Sequence, residues 1–357
     1  AANIGRRDWE FGPWAFRPMS ARSILSRRSA DGKDRALLLC LLAGEYGLEA
    51  WPVLARLRDR RLPPDEASSL ALPLLDHFNH SLVMVGTEDG KPLLLDASNP
   101  YRPPAVMPSQ LSGSFGMVIF PDSARPVEIP DLGAAACLWE EKADVTVDED
   151  GGVLWEEEIV ASGAAAEALR FNFQNPDTRD HAWESFLSSR AGVPGAVWSE
   201  FSEDPRTPAS ASFSGRARLG RLASLLDGRA ILKTPPLPGF GAPGSGGPSF
   251  PLSLDDMAIR GLRRHDLSLP YGFRITRDIR VRYPDGWRLV NPAPSFRREY
   301  AFGSVSLSSE SSPGVLAVKF DVNNPSRLLA AGDFPDFREM AALAKRWLNP
   351  ILAWETP

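Results

Sequence analysis

His80 and Asp96 are the side chains in this sequence whose types and spacing most readily suit acid–base chemistry. Phe78-Asn79-His80 opens a stretch, His80 to Val85, that alternates as a strand should, with His80, Leu82 and Met84 on one side and Ser81, Val83 and Val85 on the other. Glu88-Asp89-Gly90 is a turn, and Pro92-Leu93-Leu94-Leu95-Asp96-Ala97-Ser98 is the returning strand. A turn centred near residue 88 brings His80 and Asp96 within a residue or two of each other, where cross-strand Cβ atoms stand about 5 Å apart. An imidazole oriented by a carboxylate is a general base. The third part is Ala30-Asp31-Gly32-Lys33-Asp34, a polar loop that runs straight into the apolar helix from Lys33 to Glu45. A helix start favours a negative charge and lowers the pKa of a thiol placed there. The residue at that point is Gly32, which offers only a hydrogen. Cys40 lies eight residues on, roughly 12 Å along the helix axis, at a position expected in the core. Ser29 lies three residues before Gly32, outside the helix-start geometry.

These residues need a helix, a hairpin and a sheet to hold them. Ser20 caps a short helix from Ala21 to Arg28, and Gly47 is the expected stop of the helix that begins at Lys33. Residues 50–56 and 113–120 read as further strands. From residue 126 the texture becomes β-rich. Trp139 to Val147 and Val153 to Val160 form a hairpin about the turn Asp148 to Gly152, and two helical patches follow near 163–171 and 178–190. Residues 235–251, Pro-, Gly- and Ser-rich, read as a linker. Beyond it, Ile275, Ile279, Val281 and Tyr283 mark one strand face. The chain closes on an amphipathic helix with Phe337, Met340, Ala341, Ala344, Trp347 and Leu348 on one stripe. The expected division is 1–125, 126–236, a 237–250 linker and 251–357.

Composition limits the partners. The 357 residues are 43% hydrophobic with a net charge of −5, which suits a globular protein with buried cores. No apolar run approaches the roughly 18 residues a bilayer demands, so no membrane span is expected. Arg56, Arg58, Arg60 and Arg61 form a basic cluster, read as a protein contact. No RNP, zinc-finger or helix-turn-helix pattern accompanies it, so nucleic acid is not expected as a partner. Cys40 and Cys137 lack CxxC spacing, and neither a metal nor a cofactor is expected. The chain opens Ala1-Ala2-Asn3 with no Met and no leader, which reads as a fragment of a longer polypeptide.

In order and wording, these motifs resemble the transglutaminase-like superfamily, whose core is related to papain-like cysteine proteases, and in particular an exported bacterial branch with flanking β-rich domains. Ala30-Asp31-Gly32-Lys33-Asp34 matches that branch's Gly-Asp-Cys-Lys-Asp motif. Phe78-Asn79-His80 matches its Phe-Asn-His, and Leu95-Asp96-Ala97-Ser98 its Leu-Asp-Pro-Thr. Asp333-Phe334-Pro335-Asp336-Phe337-Arg338 is similar to its C-terminal motif. The resemblance implies an α+β fold: a partial transglutaminase-like core, then sandwich-like β modules and a C-terminal helix. It implies cysteine, histidine and aspartate as nucleophile, base and orienter, here Gly32, His80 and Asp96, with the nucleophile lost. It gives no precedent for Asp31, Asp34 and His80 as metal ligands. The implied function is an inactive module that binds a protein or peptide, its own absent N-terminal half being one candidate, in the periplasm or at the cell surface. The alternative is an active cysteine peptidase or protein-glutamine amide transferase whose nucleophile has been replaced by Gly32.

Overall fold

A computed structural model describes residues 4–6, 17–57, 78–87, 90–130, 137–191, 194–204, 207–220, 222–234, 263–348 and 350–357. The aromatics Trp9, Phe11, Trp14 and Phe16, the turn residues Glu88 and Asp89, and the 237–250 linker lie outside them. The chain divides into two compact units, Ala1–Leu132 and Gly133–Pro357.

In the first unit a two-residue parallel bridge pairs β1 (Gly5–Arg6) with β2 (Ser29–Ala30), flanking helix α1 (Ala21–Arg27). Ser20 caps α1 by accepting the Ser23 amide at 3.3 Å. Helix α2 (Gly32–Glu45) starts where Asp31 accepts the Asp34 amide at 3.1 Å, a cap worth about 1 kcal/mol. It ends where Gly47 takes φ +75° and the Leu48 amide returns to the Ala43 carbonyl at 2.9 Å. The sheet is wholly antiparallel. It comprises β3 (Ala50–Ala55), β4 (His80–Val85), β5 (Leu93–Leu95), β6 (Phe115–Ile119) and β7 (Ala124–Glu128), in the order β5-β4-β3-β6-β7. Ala36, Leu39 and Cys40 of α2 pack with Val83, Val85 and Leu95 on one face. Leu82, Leu94, Val53 and Val118 pack with Met107 and Leu111 on the other. With both faces covered, β4 is apolar on both sides, as its run Ser-Leu-Val-Met-Val requires.

In the second unit, strands drawn from both sides of residue 250 share one eight-stranded sheet, β10-β11-β9-β8-β15-β19-β18-β17. These are β8 (Cys137–Val147), β9 (Val153–Gly163), β10 (Pro194–Ser202), β11 (Ser210–Leu219), β15 (Phe273–Arg282), β17 (Phe296–Tyr300), β18 (Gly303–Ser312) and β19 (Val315–Asn324). β8 and β15 pair in parallel, which joins the two halves. The inner face carries Trp139, Trp155, Phe213, Ile275 and Phe320. Helices α3 (Ala164–Phe173) and α4 (Pro176–Ala191) contribute Phe173, tilted against Phe213, and Trp183, edge-on to it. Helix α5 (Phe334–Trp347) buries Phe337, Met340, Ala341 and Ala344 of the stripe the periodicity marked, and Leu348 just beyond it, while Trp347 is half-buried; Phe337 is edge-on to Phe302. Two small sheets complete the unit. One orders β12 (Ala223–Leu226), β13 (Arg229–Lys233), β21 (Ile351–Glu355) and β16 (Arg288–Leu289); the other pairs β14 (Leu267–Ser268) with β20 (Leu328–Leu329).

The architecture is therefore mixed α and β, mostly strand. One sequence expectation needs correction: the helix does not close the chain. β21 follows it, burying Leu352 and Trp354 while pairing with β13 and β16. Alternation over so few residues is masked by the stronger helical period just before it.

Candidate functional site

The site is built at the end of the first unit's sheet. β4 and β5 are in register at Val83 and Leu95. Continued one residue, that register sets Asp96 opposite Leu82 and diagonal to His80 on the same face. Long side chains bridge such diagonals. His80 Nε2 lies 3.2 Å from Asp96 Oδ2. Asp96 is fully buried and His80 nearly so, at 0% and 12% side-chain exposure. Ala55 and Gly116, both small, share the His80 cross-strand row.

Asp96 has two more donors. The Ser98 amide donates to Oδ1 at 2.8 Å, and Arg102 donates to Oδ2. Burial alone would raise the Asp96 pKa. The hydrogen bond and charge of His80, the Arg102 guanidinium and the Ser98 amide outweigh it and hold the carboxyl well below the usual range. Asp96 is therefore ionised at neutral pH and can only accept, so the proton of a neutral His80 sits on Nε2. Nδ1 is left with its lone pair, and it makes no hydrogen bond among the described residues.

Gly32 is the first residue of α2. Its φ is not left-handed, and a Cβ built there would meet nothing nearer than Ser98 Cβ, at 3.9 Å. Neither backbone nor packing demands glycine, and a side chain would fit in ordinary van der Waals contact. Ser98 links this point to the dyad, touching the Gly32 position on one side and donating to Asp96 on the other.

The other candidates fall elsewhere. Cys40 is half-buried two turns along α2, and burial pushes its thiol up to about 11, so it is not a ready nucleophile. Cys137 is fully buried and its thiol is raised further; both are free thiols. Ser29 is held in the β1–β2 bridge. Asp31 is engaged as helix cap and in an ion pair with Lys33, and Asp34 accepts the Met19 amide at 2.7 Å. Among the described residues no three His, Cys, Asp or Glu side chains converge as metal ligands. Arg56 follows β3, half-buried; Arg58, Arg60 and Arg61 lie outside the described residues. Sequence reasoning missed Arg102 and Ser98. The Asx-type turn at Asp96 was the available signal, since an Asp two residues before a serine amide is a turn motif.

A mixed α and β chain with a buried carboxylate orienting an imidazole at a sheet end is the class this geometry defines. No family model matches the chain, and no curated protein matches it. Among solved structures it is similar to the crystal structure of a "putative protease" from Parabacteroides distasonis, with TM-score 0.55 and 14% identity. The match covers 99% of this chain and 49% of that one, so this chain spans about half its length. At that identity the likeness shows the fold.

Proposed function

We propose that the chain is a transglutaminase-like protein without its nucleophile, acting as a protein- or peptide-binding module outside the cytoplasm. The observation that carries this reading is Gly32. It stands at the start of α2, where a Cβ would make ordinary contact with Ser98, while His80 and Asp96 are hydrogen-bonded as a base and its orienter would be. Covalent acyl transfer needs an atom to attack the carbonyl. With hydrogen there, the dyad has no partner to deprotonate, and binding is the role that remains. The same room for a side chain supports a second reading, an active cysteine peptidase or amide transferase in which cysteine belongs at position 32. Amide hydrolysis and amine incorporation, measured on the unmodified chain, on Gly32→Cys and on Ser98→Ala, test whether glycine at position 32 leaves the site inert, on which both readings agree. The first reading predicts no turnover from the unmodified chain or from Ser98→Ala, and turnover from Gly32→Cys. Turnover by the unmodified chain, whether or not Ser98→Ala removes it, contradicts inertness.

A further inference from the structure

The outer face of the eight-stranded sheet carries a shallow trough of about 800 Å³, far in kind from the dyad. Trp198 of β10 stands in its wall with 52% of its surface exposed. A half-exposed indole on a sheet face is a large apolar surface left in water. Register sets the row beside it. Trp198 pairs with Arg216, Arg216 with Glu156, and Glu156 with Asp144. The last pairing places two carboxylates directly opposite each other on β8 and β9, an arrangement that destabilises a sheet. Each is steadied from its far side. Arg216 Nε is 3.2 Å from Glu156, and Arg282 Nη2 is 3.3 Å from Asp144. Lys142 and Glu158, the next opposed pair, make no ion pair among the described residues. Glu157 points to the inner face, where it accepts from Trp155 Nε1 at 2.7 Å.

The trough therefore combines an open aromatic plane with three cations and three anions, Lys142, Arg216 and Arg282 against Asp144, Glu156 and Glu158. The balance leaves no net charge to draw a polyanion or polycation. It leaves paired acceptors and planar donors spaced across strands about 4.8 Å apart, which suits adjacent hydroxyl groups. The indole suits the apolar C–H face of a sugar ring, a contact between an aromatic face and weakly positive hydrogens. We propose that this face binds a neutral oligosaccharide, with a pyranose ring stacked on Trp198 and its hydroxyls bonded by Glu156, Asp144 and Arg216.

The test titrates the whole chain with three neutral hexasaccharides, of β-1,4-linked glucose, β-1,4-linked N-acetylglucosamine and β-1,4-linked mannose, and with hexagalacturonate. Calorimetry and tryptophan fluorescence read the binding. At least one neutral hexasaccharide should bind. Trp198→Ala should weaken it at least tenfold and Glu156→Gln severalfold, while Trp198→Phe, which keeps a ring, should retain most of it. Because Trp198 is half exposed, Trp198→Ala should melt as the parent does, and its circular dichroism confirms the fold. Failure of all three neutral sugars to bind at 1 mM, binding of hexagalacturonate alone, or binding indifferent to Trp198→Ala would each overturn the proposal. None of these outcomes depends on Gly32 or on the dyad.

Discussion

Asp96 holds three donors on a buried side chain, and its depressed pKa makes that a statement about stability. A carboxyl whose folded pKa lies below its unfolded value of about 3.9 contributes stability above that value and loses it as pH falls toward the folded one. Asp96→Asn should therefore cost about 3 kcal/mol at pH 7, because it leaves His80 and Arg102 without their partner. The deficit should shrink steadily below pH 4. Urea unfolding of both proteins at pH 7 and pH 3 measures it, and a deficit independent of pH would show that the charge of Asp96 is not what matters. Gly32 predicts the opposite sign. Its φ is ordinary and a Cβ there would meet only Ser98 Cβ, at 3.9 Å, so Gly32→Ala should raise stability by up to about 1 kcal/mol. A loss would mean that glycine is there for the fold. Gly303 is the control: a Cβ there would stand 2.1 Å from the Asn323 carbonyl oxygen, a backbone atom that cannot yield. Gly303→Ala should cost about 3 kcal/mol by the same measurement.

Strands β8, β9 and β15 place Glu141, Glu157 and Arg277 together on the inner sheet face, all buried. Arg277 donates to Glu141 Oε1 from Nε at 3.2 Å and from Nη2 at 3.0 Å, and to the Leu348 carbonyl. One guanidinium serves two carboxyls. Burial, and then the charge of Glu141, push the Glu157 pKa well above its ordinary range. Such a group destabilises the fold increasingly as pH rises from about 4.3 toward its folded pKa. Glu157→Gln should then match the parent near pH 4 and exceed its melting temperature by a widening margin toward pH 8; a margin that does not change with pH would contradict the protonated state. The alternation that built these strands was legible, since Trp139, Ala143, Val145 and Val147 recur at period two. Glu141 was not legible as buried, because its partner Arg277 lies 136 residues away and reaches it only through the parallel β8–β15 pairing. The same reason hid β21, whose partners β13 and β16 are distant in sequence. Local signals served better. Asp34 and Gly47 marked the ends of α2, the short apolar run of β4 marked the dyad's strand, and His80 with Asp96 needed only a hairpin turn. Arg102 escaped because it reaches Asp96 from an irregular loop that no periodicity describes.

Across the molecule, the two units carry two unrelated surfaces: a sheet end with a dyad in the first, and a charge-balanced aromatic trough in the second. The first exists only when α2 and the β4–β5 hairpin, some 50 residues apart in sequence, meet at Ser98. Restoring sulfur at position 32 reads that assembly directly. Cys40, held up to about 11, and Cys137, raised still further by burial, stay as thiols near neutral pH and leave the signal clean. The measurement is the pH dependence of iodoacetamide alkylation of Gly32→Cys, alone and with His80→Ala. The predicted result is a thiol titrating well below the ordinary value of about 8.5, returned toward it by His80→Ala. An ordinary titration that His80→Ala does not move would show that the imidazole does not serve the helix start, and the reading of Gly32 as a lost nucleophile would fall.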